Sequence, residues 1–208
     1  MRVPDVPPPR SGSRWGARDA ALIASFTALI AVLGLPGALT LASGVPITLQ
    51  TLGVMLAGSI LGARRAMASV ALLLVLVAVG LPLLAGGRGG LAVFAGPSVG
   101  YLIGWVVGAG VIGWLVARQL PRYPLWWGAV ANIIGGIVVV YSIGIPVQAF
   151  LLGTSGIIAT AIAATAFLPG DAIKVIIATG AAAAVHRAYP DLLASRRAPS
   201  GPVAHERL

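Results

Sequence analysis

The chain contains no cysteine, which excludes disulfides, thiolate metal sites and a cysteine nucleophile. Charge is nearly as scarce. Only 9% of the 208 residues are charged, against roughly 25% in a soluble domain. There is one lysine, Lys174, and two histidines, His186 and His205. No G-x-x-x-x-G-K-[ST] phosphate loop is present, so ATP hydrolysis by that route is excluded. The polar/apolar alternation of a membrane barrel is also missing. What fills the chain instead is Leu, Val, Ile, Ala and Gly: 58% of residues are hydrophobic and the mean hydropathy is +0.98. The composition predicts an all-α integral membrane protein.

Hydropathy predicts six transmembrane helices, at about residues 19–35, 46–62, 66–83, 97–118, 125–144 and 169–187. Residues 1–18 are polar and rich in Pro, Gly and Arg, and read as a disordered cytoplasmic tail. A second cytoplasmic tail is expected over 189–208, leaving 19–188 as the membrane domain. The first apolar run lacks a clean cleavage site and leads into further spans, so it reads as a retained helix. Residues 145–167 are apolar but carry Pro146 and the Gly153–Gly156 stretch. They read as a short helix at the interface or one folding back. No internal repeat is evident, which weighs against a transporter built from inverted halves.

The basic residues give an orientation. Arg2, Arg10, Arg14 and Arg18 precede the first span, Arg64 and Arg65 follow the second, Arg118 and Arg122 the fourth, and Arg187, Arg196, Arg197 and Arg207 the sixth. With six spans and both termini cytoplasmic these fall on one side, as the positive-inside rule requires. Their place in short loops and tails also argues against a nucleic-acid partner. The remaining two cations, Arg88 and Lys174, then fall on the outer side, together with Asp171. Both histidines fall on the inner side, so a Ser-His-Asp site with Asp171 is excluded.

Asp171 and Lys174 sit three residues apart, on one helix face. Pro169 and Gly170 just before them mark a helix start, where the dipole favours a carboxylate. A structural ion pair explains these two alone. Arg88, in Gly86-Gly87-Arg88-Gly89-Gly90, adds a surplus positive charge suited to an anionic ligand. The glycines suggest a flap able to close over it; a solvated loop charge is the ordinary alternative. Further candidates for a pocket are Thr48 and Gln50 at the start of the second span, Tyr101 at the start of the fourth, and Asn132 in the fifth, with Tyr141 near that helix's outer end. Gly96, Gly100, Gly104 and Gly108 recur every four residues and read as a close-packing ladder. Ala20, Ala24 and Ala28 form a small-residue stripe on the first helix, for packing within the chain or for docking a partner membrane subunit.

These residues together resemble the BioY family, the biotin-binding S-components of energy-coupling factor (ECF) transporters. The resemblance spans about residues 19–188. It is carried in order by Val45-Pro46-Ile47-Thr48-Leu49-Gln50-Thr51, Gly80-Leu81-Pro82, the Arg88 loop, Gly96-Pro97-Ser98-Val99-Gly100-Tyr101, and Phe167-Leu168-Pro169-Gly170-Asp171-Ala172-Ile173-Lys174. The family usually has Thr at Ser98, Pro at Ala166 and Val-Phe at Leu83-Leu84; no charged position is lost. The resemblance implies a multi-pass protein of the bacterial plasma membrane that binds biotin from outside. It implies no enzymatic activity and no cofactor or metal. It also implies a membrane coupling subunit and two ABC ATPases as partners, with Ala20, Ala24 and Ala28 docking on the coupling subunit. Arg88 is then the first choice for the biotin carboxylate. Asp171 would accept from the urea N–H groups, and Lys174 would donate to the urea oxygen or hold Asp171. An S-component for another vitamin, or a membrane scaffold whose charges only pair, are the competing readings.

Overall fold

The computed structural model describes residues 15–36, 39–40, 46–120, 122–153 and 156–189. The expected tails lie outside these residues except at 15–18 and 189, as does Val45. Six helical rods make up the bundle. The first four are α1 (Ala17–Val32), α2 (Gln50–Leu61), α3 (Ala63–Ala78) and α4 (Val99–Ala117). The fifth is α5 (Leu125–Ile133), running through a π-helical turn (Ile134–Val139) into α6 (Val140–Leu151). The sixth is α7 (Ile157–Ala164), joined by a 3-10 turn (Thr165–Phe167) to α8 (Leu168–Ala188). Three rods, Val99–Ala117, Leu125–Leu151 and Ile157–Ala188, are long and apolar enough to cross a membrane. A small ladder between β1 (Leu39–Thr40) and β2 (Pro46–Ile47) precedes α2.

Several boundaries differ from the hydropathy reading. Pro46 does not open α2: it lies in β2, and the helix begins at Gln50, whose N–H donates to the Thr48 hydroxyl at 2.7 Å. Arg64 and Arg65 are not in a loop but in the first turn of α3. Gly62, at φ 78°, makes the whole corner between α2 and α3, in a left-handed conformation that side chains other than glycine's resist. Pro146 does not end the fifth rod. Proline is tolerated in such helices where neighbours satisfy the freed backbone, and the break falls instead after Leu151, around Gly153 at φ 60°. Residues 145–167 are therefore shared between the fifth and sixth rods.

α4 is the post around which the bundle is assembled. A Cβ on Gly104 would stand 3.0 Å from Val140 Cα, and one on Gly108 would stand 2.4 Å from the Gly135 carbonyl oxygen. Gly100 faces Val147 and the Gly144 backbone just as closely. Three glycines thus bring the α4 backbone onto that of the fifth rod, and the close-packing reading holds for them. Gly96 lies outside the helix, against its own loop. On α4's other side Gly113 meets the Gly62–Ala63 backbone, so α3 is held equally near.

The π turn has a geometric role. The inward stripe of the fifth rod is Gly128, Asn132, Gly136, Val140, Gly144 and Gln148, all buried. A four-residue repeat drifts roughly 40° per step around an α-helix. The wider π turn takes up part of that drift and keeps Val140 and Tyr141 directed at the bundle's interior.

Buried polar contacts fix the remaining rods. Ser59 Oγ donates to Asn132 Oδ1 at 3.1 Å, Asn132 Nδ2 donates to Gly128 O and Thr179 Oγ1, and the His186 Nε2 lies 2.8 Å from Ser59 O. This network ties α2, α5 and α8. α1 is held to α3 by an Arg65–Asp19 ion pair and by Thr27 Oγ1 donating to Ser69 O. Its buried residues are Ile23, Thr27 and Ile30. Ala20, Ala24 and Ala28 are exposed, so packing within the chain does not account for that stripe.

Gly108→Ala should destabilise the detergent-purified protein by about 1–3 kcal/mol through overpacking, read as a lower thermal midpoint. Gly180→Ala, with nothing within 4 Å of its added Cβ, should leave the midpoint unchanged or raise it.

Candidate functional site

The start of α8 sets the acidic end of the site. Phe167 caps the helix, Pro169 sits in the first turn and Asp171 follows. Asp171 and Lys174 are both buried, at 3% and 5% exposure. Lys174 Nζ donates to Asp171 Oδ1 at 2.9 Å, and the Tyr141 hydroxyl donates to Oδ2. A carboxylate offers about four lone-pair positions and an ammonium three N–H donors. The pair therefore keeps unused acceptors on Asp171 and unused donors on Lys174.

Arg88 supplies the second cation from the loop between α3 and α4. Its Nε donates to Ala85 O at 3.3 Å and its Nη1 to Ser98 Oγ at 3.2 Å. Among the described residues, no carboxylate lies within ion-pairing distance of it. Partial burial pulls its pKa below the ordinary arginine value, as expected for a charge losing water, yet a guanidinium stays charged at neutral pH. The glycines around it lie in a hydrogen-bonded turn. Leu84 and Arg88 exchange backbone hydrogen bonds at 3.0 and 3.2 Å, closing a turn with Gly86 (φ 78°) and Gly87 (φ 70°) at its tip. Glycine is required there for its left-handed backbone.

Arg88, Asp171 and Lys174 line one cavity, with about 550 Å³ of free space including its mouth. The expected Thr48, Gln50 and Tyr101 line it too. Tyr101 is 7% exposed and donates to Gln148 Oε1 at 2.8 Å. Its ring meets Tyr141 edge-on at 6.1 Å and Phe167 at 6.4 Å, forming an aromatic wall beside the acid. Trp105 and Val140 extend the apolar lining.

Asn132 is the exception. It is fully buried, and its amide is engaged by Ser59, Gly128 and Thr179. It does not line the cavity but joins helices below it. The sequence reading also omitted Trp105, Thr51 and Phe167 as lining residues. Trp105 was accessible to helical spacing, since it stands four residues from Tyr101 on the same α4 face.

The cavity's chemistry follows. Two cations against one acid leave one positive charge over, in a setting where isolated charge is costly. A lining that combines an acid–lysine pair with spare donors and acceptors, a guanidinium bonded to neutral oxygens, and aromatic rings suits an anion that also has a polar group and an apolar part. No group of His, Cys, Asp or Glu able to hold a metal occurs among the described residues.

The BioY family model matches residues 8–191. The chain belongs to the BioY family. The biotin transporter BioY of Rhodobacter capsulatus is 44% identical over 190 residues, covering 86% of this chain and 98% of that protein. The biotin transporter BioY of Rhizobium etli is 46% identical over 179 residues, covering 83% and 95%. Among solved structures, the crystal structure of the S-component for biotin from an ECF-type ABC transporter matches with a TM-score of 0.77 and 32% identity, over 82% of this chain and 91% of that one. The chain is thus an S-component-like membrane bundle.

The buried pair has an energetic signature. Lys174→Met leaves Asp171 a buried, half-partnered charge and should cost about 3–5 kcal/mol. Asp171→Leu combined with Lys174→Met should recover much of that loss. Thermal midpoints of ligand-free protein check both.

Proposed function

We propose that this chain is the biotin-binding membrane subunit of an ECF-type transporter, taking biotin from the outer side for uptake driven by partner ATPases. The observation that carries the reading is the convergence of Arg88, Asp171 and Lys174, from distant parts of the chain, on one cavity with one uncompensated positive charge. Biotin has a carboxylate at one end, a cyclic urea at the other and an apolar ring and chain between. The spare guanidinium donors of Arg88 suit the carboxylate in a forked geometry. Asp171 accepts from a urea N–H, and the remaining Lys174 donors reach the urea oxygen while the lysine also holds Asp171. The aromatic wall packs on the sulfur-containing ring. Thr48, Gln50 and Tyr101 complete the walls rather than carry charge.

The basic side of the bundle, with Arg64, Arg118 and Arg187, faces the cytoplasm under the positive-inside rule, and the cavity opens outward. The exposed Ala20, Ala24 and Ala28 stripe allows close approach of another membrane helix, which fits a coupling subunit that bridges to two ABC ATPases. The chain's own role is binding; it carries no phosphate loop.

Calorimetry of the purified protein tests the reading. Saturable biotin binding, retained by desthiobiotin and absent with unrelated vitamins, supports it; a scaffold whose charges only pair binds none of them. Arg88→Ala should weaken biotin by about 2–4 kcal/mol while changing the affinity for uncharged biotin amide far less. Equal losses would remove Arg88 from the carboxylate. Ala24→Trp should abolish co-purification with the coupling subunit and uptake, with biotin affinity of the isolated chain unchanged.

A further inference from the structure

Gln50 lines the cavity, yet its amide points elsewhere. The side chain is 1% exposed. Its Nε2 donates to Ile30 O of α1 at 3.2 Å and to Leu83 O at 3.0 Å, and its Oε1 accepts from the Ala85 N–H at 3.0 Å. An amide nitrogen has two hydrogens, so both are engaged. The three partners also fix the orientation of the amide, because flipping it would set its oxygen against two carbonyls. A Cβ on Gly34 would come within 2.9 Å of Gln50 Nε2, so the end of α1 is fitted closely around this group.

The bonds continue in one direction. Ala85, whose N–H Gln50 receives, offers its carbonyl to Arg88 Nε. Leu84 and Arg88 close the turn between them, and Arg88 Nη1 reaches Ser98 at the start of α4. Gly90 N–H donates to Val77 O at 2.8 Å and fastens the far side of the loop to α3. The first turn of α2 and the guanidinium are thus joined through Ala85 by two hydrogen bonds.

The geometry assigns Gln50 the role of a positioning residue: its amide latches the 83–88 turn to α1 and α2, so that the Arg88 guanidinium is preset for an anion. Gln50 acts through Arg88 and not by direct contact with the ligand. A guanidinium held in place before binding loses less freedom on meeting a carboxylate. Without the latch, the Ile30 and Leu83 carbonyls and the Ala85 N–H lose their partner, and the turn shifts to satisfy them. This rests on the assignment of Arg88 to the ligand's carboxylate.

The test compares Gln50→Leu, with Gln50→Met as the second variant should the first not fold, in detergent-purified protein. Biotin affinity should fall about tenfold, the loss of one to two net hydrogen bonds, while biotin amide affinity changes little. Gln50→Leu combined with Arg88→Ala should bind biotin no more weakly than Arg88→Ala alone. Equal losses for acid and amide, additive losses in the double variant, or unchanged biotin affinity would each overturn the latch. Hydrogen exchange of the Ala85 amide is read without ligand. It should accelerate in the variant, and unchanged protection would overturn the proposal. Absence of biotin binding by the unaltered protein would instead refute the proposed function, and the exchange measurement would still decide the latch.

Discussion

Charge removed from water has to find opposite charge or donors nearby, and in this bundle the supply is uneven. Asp171 is answered twice, by Lys174 and by the Tyr141 hydroxyl. Among the described residues, Arg88 is answered only by neutral oxygens, those of Ala85 and Ser98. Neutral acceptors orient a guanidinium but do not cancel its charge. The imbalance makes the cavity something other than a gap between helices: it is electrostatically incomplete as it stands.

Holding such a site in a membrane requires walls that barely move, and glycine provides them. Gly100, Gly104 and Gly108 let α4 lie against the fifth rod at backbone distance. With no hydrophobic force between helices in lipid, close packing and interhelical hydrogen bonds carry the association. That contact brings Tyr101 of α4 beside Tyr141 of α6, and Tyr141 in turn onto Asp171 of α8. The Ser59–Asn132–Thr179 network performs the same service below the cavity. In the Arg88 loop glycine serves backbone handedness, at Gly86, Gly87 and Gly90.

Much of this was legible because polar residues are rare. In a chain with so little charge, Asp171, Lys174 and Arg88 stood out at once, and the sidedness of the arginines grouped them together. Six rods were expected and six are present among the described residues. What hydropathy could not mark was where one rod becomes another. A single left-handed glycine at 62 turns the chain where a charged loop was expected, and Pro146 passes through a helix that it was expected to end. Asn132 misled because a buried amide looks alike in a sequence whether it faces a ligand or a neighbouring helix. Gln50 was rightly placed at the cavity, but the carbonyls it holds, at positions 30 and 83, are far off in the chain, and no local pattern points to them. Tyr141's partnership with Asp171 depends on the π turn, which no hydrophobic period announces.

That turn has an evolutionary consequence. It amounts to one surplus residue between Ile134 and Val139. Excising it would restore a regular helix and swing everything downstream by about 100°, carrying Tyr141 away from the acid and Gln148 away from Tyr101. The fifth rod therefore tolerates substitution far better than it tolerates a gap, and a lineage that lost this residue would have to rebuild one wall of the cavity from different side chains.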